Sequence, residues 1–367
     1  MTKILVTCVD YPNGHNRALQ YVHVRNKGYA EAGMHVEVLN FSAKQDYEHE
    51  GICVYSYATI KKNIEKFRDY ILVCHAPNIR NHYRFIKKYQ NVFIDIVFFF
   101  HGHEIVEQLK VYPKPYEFKK LSAVKKLMIS TYDKLKIKVW KWYFHKKNTT
   151  SKLVFVSNSL LREFRNNMKF QQNDLLNRAI VINNSVGCVF EQYEYDWSYP
   201  KRYDFITIRS DIDSSVYCVD LICRIAEKNK NKSFLLIGKG NYFEYNQCPC
   251  NLVHINTSLP QNKLIEYINS SKVALMPTRR DSQGVMVCEL ATFGIEVVTS
   301  DLGVCHEMFD DFDNVTMLSE IDIEKEIMGY SSLNERKNSN FRFYRCNTIL
   351  KEIKLLERLS VRKVDED

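Results

Sequence analysis

The segment with the clearest potential for chemistry runs from Leu275 to Glu307. A strand-like run ends at Pro277, and a helix is predicted to begin near Gly284. Glycine lacks a Cβ, so a phosphate can approach the backbone closely there. The free N–H groups of Gly284 and Val285 would point out of a helix N-terminus that carries about half a positive charge, which suits an anion. The loop before the helix carries three charged residues: Arg279, Arg280 and Asp281. The pattern predicts a phosphate site, with Glu289 placed to reach a ribose hydroxyl pair.

Two histidines follow a second apolar run. Phe98–Phe100 ends a predicted strand, and the segment His101–Glu104 follows it. A pair of histidines at the carboxyl end of a strand favours a functional role, with His101 the first choice and His103 the second. A His-x-His pair also suggests a metal, but no third ligand stands at a recognisable spacing. The pair in Cys248–Cys250 has no second pair at zinc spacing either, so no metal site is predicted.

The elements that must position these residues alternate between strands and helices, which is typical of parallel α/β sheets. The predicted strands of the first half are Ile4–Val6, Met34–Leu39, Tyr70–Cys74, Val92–Phe100 and Leu153–Val156. Those of the second half are Phe205–Ile208, Ser233–Gly238, Val273–Pro277 and Glu296–Thr299. We expect domains at 1–199 and 200–340 that face each other across a cleft, and a C-terminal segment, 341–367, that packs back on the first domain. Ligands of such sheets bind outside the carboxyl ends of the strands.

The segment that begins at Asp281 resembles the donor-binding region of retaining GT-B glycosyltransferases of family four, most closely those of bacterial surface polysaccharides. Their pattern is an acidic residue, seven intervening residues and a glutamate, then a small-residue turn and a buried strand. Here it reads Asp281, Glu289, Ala291, Gly294 and Val297-Val298, with Asp in place of the commoner Glu. The resemblance extends in order over most of the chain, through Ser157-Asn158-Ser159, Asn183-Asn184, Arg209 and Gly238-Lys239-Gly240. It implies a GT-B fold of two Rossmann-like domains.

The resemblance also implies roles for individual residues. Asp281 would hydrogen-bond the donor sugar, Arg209 would stabilise the departing diphosphate, and His101 would contact the donor sugar or the acceptor. Asn13 and His15 lie in the first loop of the first domain, which lacks the usual Gly-Gly pair. The residues expected to bind the UDP- or GDP-linked donor are Glu289, Gly284, Val285, Gly238, Lys239, Gly240 and Arg279.

One residue of the family pattern is missing. Enzymes of this kind offset the charge of the departing diphosphate with an Arg and a Lys from the first loop of the second domain, in place of a bound metal. Where the pattern expects Lys, this chain has Val216 or Tyr217. Lys239, Arg279 or Arg280 could compensate, because a flexible side chain can reach in from another loop. An uncompensated loss would leave a slow enzyme or a non-catalytic subunit.

The net charge of +9 lies in one segment, 119–147, which holds ten lysines and one acidic residue. Apolar residues recur there at helical spacing: Leu121, Val124, Met128, Leu135, Val139 and Trp142. A basic amphipathic helix that ends in aromatic residues is typical of an anionic membrane surface. The alternative is a solvated helix packed on its own domain. No nucleic-acid motif accompanies the lysines, so no nucleic-acid partner is expected.

Composition limits the location and the class of the protein. The 367 residues are 45% hydrophobic and 26% charged, which argues for two globular domains and against disorder. Neither a membrane-spanning run nor a signal peptide is recognised, and eleven scattered cysteines suggest a reducing cytosol. We therefore expect a cytoplasmic enzyme, peripheral on the inner face of the plasma membrane, that moves a sugar from a nucleotide donor to a lipid-linked glycan with retention and without a cofactor. The alternative is a GT-B subunit that binds a partner or glycan without catalysis.

Overall fold

The computed structural model describes residues 1–13, 19–146, 151–171, 173–327 and 340–361. These residues divide into two compact units. The first lies within Met1–Gln108, Ser130–Ser185 and Arg345–Asp367, and the second within Leu109–Ile129 and Val186–Tyr344. His15, expected in the first loop, lies outside the described residues.

Strands and helices alternate along both units, as the sequence predicts. The strands are β1 (Lys3–Cys8), β2 (His35–Asn40), β3 (Tyr47–His49), β4 (Ile52–Tyr55), β5 (Tyr70–His75), β6 (Ile96–Phe100), β7 (Lys152–Phe155), β8 (Ala179–Val181), β9 (Tyr203–Asp211), β10 (Phe234–Lys239), β11 (Leu252–Ile255), β12 (Ser271–Met276), β13 (Glu296–Ser300) and β14 (Val315–Leu318). The helices are α1 (Gln20–Glu31), α2 (Tyr57–Lys62), α3 (His82–Tyr89), α4 (Gln108–Val111), α5 (Ala123–Phe144), α6 (Asn158–Met168), α7 (Cys188–Gln192), α8 (Val219–Lys228), α9 (Tyr242–Tyr245), α10 (Gln261–Asn269), α11 (Val285–Phe293), α12 (Gly303–Phe309), α13 (Glu320–Glu326) and α14 (Ile349–Val361).

The first unit contains an eight-stranded sheet in the order β3-β4-β2-β1-β5-β6-β7-β8. Its strands run parallel except for the antiparallel β3–β4 pair. Every residue of β5 and of β6 is buried. Parallel strands covered on both faces need such continuous apolar runs, and for this reason the sequence pattern identified them.

The C-terminal helix α14 packs against α1 in the first unit. The buried guanidinium of Arg25 donates from Nε to Oε1 of Glu352 at 3.0 Å, and the hydroxyl of Tyr29 donates to the same carboxylate. A Cβ at Gly28 would lie 2.9 Å from Ile349, so glycine allows the two helices to approach closely.

The second unit contains a six-stranded parallel sheet in the order β11-β10-β9-β12-β13-β14. This is the doubly wound Rossmann order, and it reverses between β9 and β12. Ligands of such sheets bind at the carboxyl ends of the two strands that flank the reversal. The loops that follow β9 and β12 are therefore the place to look for a site.

One segment of the expected first domain groups with the second unit. Within Leu109–Ile129, the hydroxyl of Tyr116 donates to Oδ1 of Asp220 at 2.9 Å. The ring of Phe118 stacks on that of Tyr245 with 4.7 Å between centroids. Aromatic stacking and this hydrogen bond attach the segment to α8 and α9 of the second unit. Periodicity cannot reveal such contacts between residues that are distant in sequence.

Candidate donor site

Arg209 lies near the carboxyl end of β9, and its side chain is buried. Its Nη2 donates to the carbonyl oxygen of Pro277 at 2.5 Å, and its guanidinium lies 5.0 Å from the centroid of the Tyr217 ring. Its Nε has no hydrogen-bond partner, and no carboxylate pairs with it among the described residues. Burial lowers the pKa of Arg209, and the charge of Asp281 opposes that shift. A buried cation without a counter-ion is costly, so this position suits an incoming anion.

The loop after β12 is folded around the carboxylate of Asp281. Oδ1 accepts three backbone N–H groups, from Ser282 at 2.7 Å, Gln283 at 3.2 Å and Gly284 at 2.7 Å. Gly284 has a φ of +74°, and a Cβ there would lie 3.1 Å from Oδ2 of Asp281. One oxygen of Asp281 thus shapes the loop. The other, Oδ2, makes no hydrogen bond within the described part of the chain.

Helix α11 begins directly after this turn, at Val285. Gly284 and Val285 are partly exposed, and the N–H groups of the first turn have no partners within the helix. The helix N-terminus, Gly284 and Arg209 therefore all lie at the ends of β9 and β12, where the sequence predicts a phosphate site. The N–H of Gly284, which was expected to be free for the phosphate, instead donates to Oδ1 of Asp281.

Glu289 is buried in the second turn of α11. Its Oε1 accepts the backbone N–H of Gly187 at 3.1 Å and Nε2 of Gln261 at 2.8 Å. Burial raises the pKa of Glu289 to about 7, and the hydrogen bond from Gly187 opposes that shift. Oε2 makes no hydrogen bond with the residues described. Sequence reasoning missed Gly187 and Gln261, since neither belongs to a motif.

The Gly238–Gly240 turn packs against the loop that carries Arg209. A Cβ at Gly238 would lie 2.4 Å from the carbonyl oxygen of Arg209, and one at Gly240, whose φ is +152°, would lie 2.6 Å from Oδ1 of Asp213. The side chain of Lys239 is exposed, while its carbonyl oxygen accepts the N–H of Ile212 at 2.8 Å. Both glycines are needed for this close approach, which positions Arg209.

The guanidinium of Arg279, expected to bind the donor, forms ion pairs with two carboxylates. Its Nη1 and Nη2 donate to Oδ1 and Oδ2 of Asp220 at 2.9 and 2.8 Å. Its Nε and Nη2 donate to the two oxygens of Glu320 at 2.8 and 3.0 Å, and Nη1 also reaches the carbonyl oxygen of Ser215 at 2.9 Å. All five guanidinium donors are used. Arg279 therefore has no N–H group left for a phosphate in this structure, and its contacts give no support to the expectation that it binds the donor.

Val216 and Tyr217, the positions where a lysine is expected, make contacts around the loop that follows β9. The carbonyl oxygen of Val216 accepts the N–H of Arg279 at 2.9 Å, and the ring of Tyr217 faces Arg209. A lysine reaches this loop from elsewhere: Nζ of Lys119 lies 2.9 Å from Oδ2 of Asp213. Sequence reasoning could not find Lys119, which is 94 positions from its partner.

The same loop carries an Asp-x-Asp pair, Asp211 and Asp213, a spacing that can hold a metal. Oδ1 of Asp213 accepts the N–H of Asn241 at 2.7 Å, and Oδ2 is paired with Lys119. Oδ1 of Asp211 accepts the N–H of Asp213 at 2.9 Å. Both oxygens of Asp213 and one oxygen of Asp211 therefore take part in folding the loop.

His101, the expected catalytic histidine, belongs to the first unit. Its Nε2 lies 3.2 Å from Nδ1 of His75 at the end of β5, and its ring packs on Tyr21 with 4.7 Å between centroids. Burial lowers the pKa of His101 well below its usual value, and nearby Arg25 adds to the shift. The imidazole is therefore neutral at pH 7. His75 was missed, although its position at a strand end is the signal that singled out His101.

The loop that carries His101 is fixed by buried charges. The carboxylate of Glu104 accepts the N–H groups of His101 at 3.2 Å and Gly102 at 2.6 Å. Nζ of Lys136 in α5 donates to the carbonyl oxygen of His103 at 2.8 Å and to Oδ1 of Asp133 at 2.7 Å. Lys136 thus holds the loop through the carbonyl oxygen of His103, and Asp133 holds Lys136 in place.

The opposite side of α5 exposes apolar side chains to solvent. Trp140 and Phe144 are fully buried, which corrects the expectation that the whole aromatic cluster faces a membrane. The exposed apolar residues, each at least 52% accessible, are Val124, Leu127, Met128, Leu135 and Trp142. Their spacing places them on one stripe of the helix. No helix in the described part of the chain is long and apolar enough to cross a bilayer.

Comparisons with known proteins agree with this architecture. Residues 209–328 match the family model "Glycosyl transferases group 1". The sequence has no significant match among curated proteins. Three solved structures share the fold over nearly the whole chain. They are sucrose-phosphate synthase from Thermosynechococcus elongatus (TM-score 0.65, 10% identity, covering 100% of this chain and 98% of that one), WaaG, a glycosyltransferase involved in lipopolysaccharide biosynthesis (0.60, 12%, 97% and 92%), and an alpha,alpha-trehalose-phosphate synthase (UDP-forming) from Burkholderia vietnamiensis (0.62, 10%, 98% and 100%).

The fold is therefore GT-B, with two Rossmann-like domains, as expected. The matched domain contains Arg209, Asp281, Gly284 and Glu289. Together, the fold and the matched domain support the class of GT-B glycosyltransferases.

Proposed function

We propose that the protein transfers a sugar from a UDP- or GDP-linked donor to a lipid-linked glycan, with retention, in the synthesis of bacterial surface polysaccharide. The observation that carries the donor assignment is the buried guanidinium of Arg209, which has no carboxylate partner in the described structure and stands where the strand order reverses. The N-terminus of α11 lies at the same edge of the sheet. A nucleoside diphosphate would supply a negatively charged partner for both the guanidinium and the helix N-terminus.

The geometry suggests how the departing diphosphate is stabilised. Its charge grows as the glycosidic bond to phosphate breaks, and a fixed cation with fixed N–H dipoles offsets that charge without reorganisation. Arg209 and the amides that follow Gly284 are held in place before the donor arrives. Asp281 offers its second oxygen to a sugar hydroxyl, and Glu289 offers its second oxygen to the ribose. We therefore expect transfer to be independent of a divalent metal at the donor site.

The exposed stripe of α5 supports attachment to an anionic membrane. Val124, Leu127 and Met128 would insert among the lipid headgroups, and the lysines beside them would contribute about 1 kcal/mol each on an anionic bilayer. A cytoplasmic enzyme held at the inner face of the plasma membrane would meet a lipid-linked acceptor there.

A second candidate is a GT-B subunit that binds a partner or glycan without turnover. Val216 and Tyr217 favour it, since neither supplies the second cation expected beside Arg209. The lysine that reaches this loop, Lys119, is neutralised by Asp213. Removal of a charge-stabilising donor from such a site typically costs about 10²–10³ in rate.

Turnover distinguishes the two candidates. Purified protein is incubated with UDP- and GDP-linked sugars, with and without membrane lipid extract, and release of the nucleoside diphosphate is measured. Transfer or slow hydrolysis that is lost in Arg209→Gln supports the enzyme. Nucleotide binding without release from any donor supports the subunit, and absence of binding contradicts the donor site. The control is Arg202→Gln, which changes an exposed arginine at the opposite end of β9.

A further inference from the structure

Two histidines and a glutamate form a cluster in the first unit that the proposed function does not use. His23 lies in α1, His49 ends β3, and Glu50 begins the turn to β4. Each offers one ligand atom, and the three atoms lie within 4.8 Å of one another. The rings of His23 and His49 are 4.5 Å apart between centroids, and Nε2 of His23 is 3.3 Å from Oε2 of Glu50.

The second observation is the way His23 is held. Its side chain is buried, and its Nε2 faces the cluster without the geometry of a hydrogen bond to any described residue. Its Nδ1 lies 2.8 Å from the hydroxyl of Tyr11, and that hydroxyl accepts a hydrogen bond from Nδ2 of Asn26 at 3.0 Å. Histidines that bind metals are oriented in this way, through the ring nitrogen that faces away from the ion. A buried nitrogen without a well-formed hydrogen bond is costly, and a cation bound between Nε2 of His23 and the nearby carboxylate of Glu50 would satisfy it.

The turn brings the carboxylate to the histidines. Glu50 has a φ of +47° and Gly51 a φ of +81°, which gives a two-residue hairpin turn between β3 and β4. Nζ of Lys27 donates to Oε2 of Glu50 at 2.8 Å, so a cation would compete with Lys27 for that oxygen or take the other one.

We propose that His23, His49 and Glu50 bind a divalent cation of the zinc class. Imidazole nitrogen and carboxylate oxygen are zinc ligands, and three protein ligands leave a coordination position for water. The bound ion would join the β3–β4 hairpin to α1. This site is separate from the donor site, which belongs to the second unit, so it does not depend on the proposed transfer reaction.

Calorimetry with Zn²⁺ on the full chain tests the site. The protein carries Cys248→Ser and Cys250→Ser, which removes an exposed thiol pair that could bind zinc, and is freed of metal with a chelator. We expect about one equivalent of Zn²⁺ to bind, and at least a tenfold loss of affinity in His49→Gln and in Glu50→Gln. The matched control is His35→Gln, because His35 lies 3.6 Å from Glu37 and is not part of the cluster. Its affinity should equal that of the parent.

Two further readouts keep the result interpretable. Zn²⁺ should raise the melting temperature of the parent and of His35→Gln, but not that of His49→Gln or Glu50→Gln. Melting of the metal-free variants shows whether they fold, and both substituted side chains are at least partly exposed. Co²⁺ should give visible absorption that His49→Gln abolishes. The proposal is overturned if Zn²⁺ does not bind, or if it binds His49→Gln and Glu50→Gln as tightly as the parent, which would leave a plain His23–Glu50 ion pair.

Discussion

The guanidinium of Arg209 donates to the carbonyl oxygen of Pro277 at 2.5 Å. This hydrogen bond joins the ends of β9 and β12, the two strands between which the order of the second sheet reverses. It fixes the direction of the cation without neutralising its charge. The site is thus prepared for an anion before any ligand arrives.

Replacing Arg279 should lower stability and leave nucleotide affinity nearly unchanged. Arg279→Met breaks a partly exposed network with Asp220 and Glu320. We expect the free energy of unfolding to fall by about 1–3 kcal/mol, less than for a fully buried pair. Urea denaturation measures the loss, and UDP and GDP affinity at low temperature should stay within about twofold. Arg224→Met, at a more exposed partner of Asp220, is the control and should cost about 0.5 kcal/mol. A large drop in affinity with unchanged stability would make Arg279 a donor ligand after all.

Glu289 should make stability fall as pH rises towards neutrality. Its pKa is raised from 4.5 to about 7 in the folded state, so the folded protein holds a proton there that the unfolded chain releases. That contribution is complete below about pH 4.5 and is lost as pH rises through about 7. Glu289→Gln removes it, so relative to pH 5 the parent should lose on the order of 2–3 kcal/mol at pH 8 that the variant keeps. Urea denaturation of both proteins at the two pH values measures this, and identical pH profiles would refute a raised pKa.

Activity should survive excess EDTA, because a fixed cation and a helix N-terminus serve the diphosphate. Both oxygens of Asp213 are engaged within its loop, so Asp213→Asn should not create or remove a manganese requirement. Initial rates are compared before and after chelation, in the parent and in Glu50→Gln, which lacks the proposed zinc site. A rate that is lost in both proteins and restored by Mn²⁺ would contradict this mechanism.

The basic segment should bind anionic liposomes in a salt-sensitive way, since attraction is screened beyond about 8 Å at physiological salt. Reversing four exposed lysines, in Lys125/Lys126/Lys134/Lys138→Glu, should weaken co-sedimentation with phosphatidylglycerol at least about tenfold. The matched control reverses four exposed lysines on α2 and α3, Lys61/Lys62/Lys87/Lys88→Glu. If both variants bind alike, or the parent ignores anionic liposomes at low salt, α5 is only a packed helix.

Local pattern was enough to predict the parallel strands and the helix that begins after Gly284. Continuous apolar runs and a glycine turn are encoded within a few residues. Strand β5 matches its predicted bounds to within one residue, and α11 begins one residue after Gly284. The strands β3, β4, β8, β11 and β14 were missed because runs of three or four residues are too short to show a clear apolar pattern. Within the C-terminal segment expected at 341–367, the helix begins at Ile349.

Side-chain partners were harder to predict because they depend on contacts between distant residues. The sequence placed Arg209, Asp281 and Gly284 at one edge of the sheet, and the structure does the same. The sequence could not show that Asp220 and Glu320 accept hydrogen bonds from the guanidinium of Arg279. For α5 the period was right, but the exposed and the buried side both carry apolar residues, so composition alone could not assign Trp140 to the interior.

Calorimetry of UDP and GDP binding to the parent, Arg209→Met and the control Arg202→Gln tests the central claim most directly. We predict that at least one nucleotide binds the parent and the control alike. Arg209→Met should bind at least tenfold more weakly and unfold at the same or a higher temperature, since it removes a buried charge that has no counter-ion in the described structure. Equal nucleotide affinity in Arg209→Met and the parent would contradict the claim that Arg209 receives the donor diphosphate.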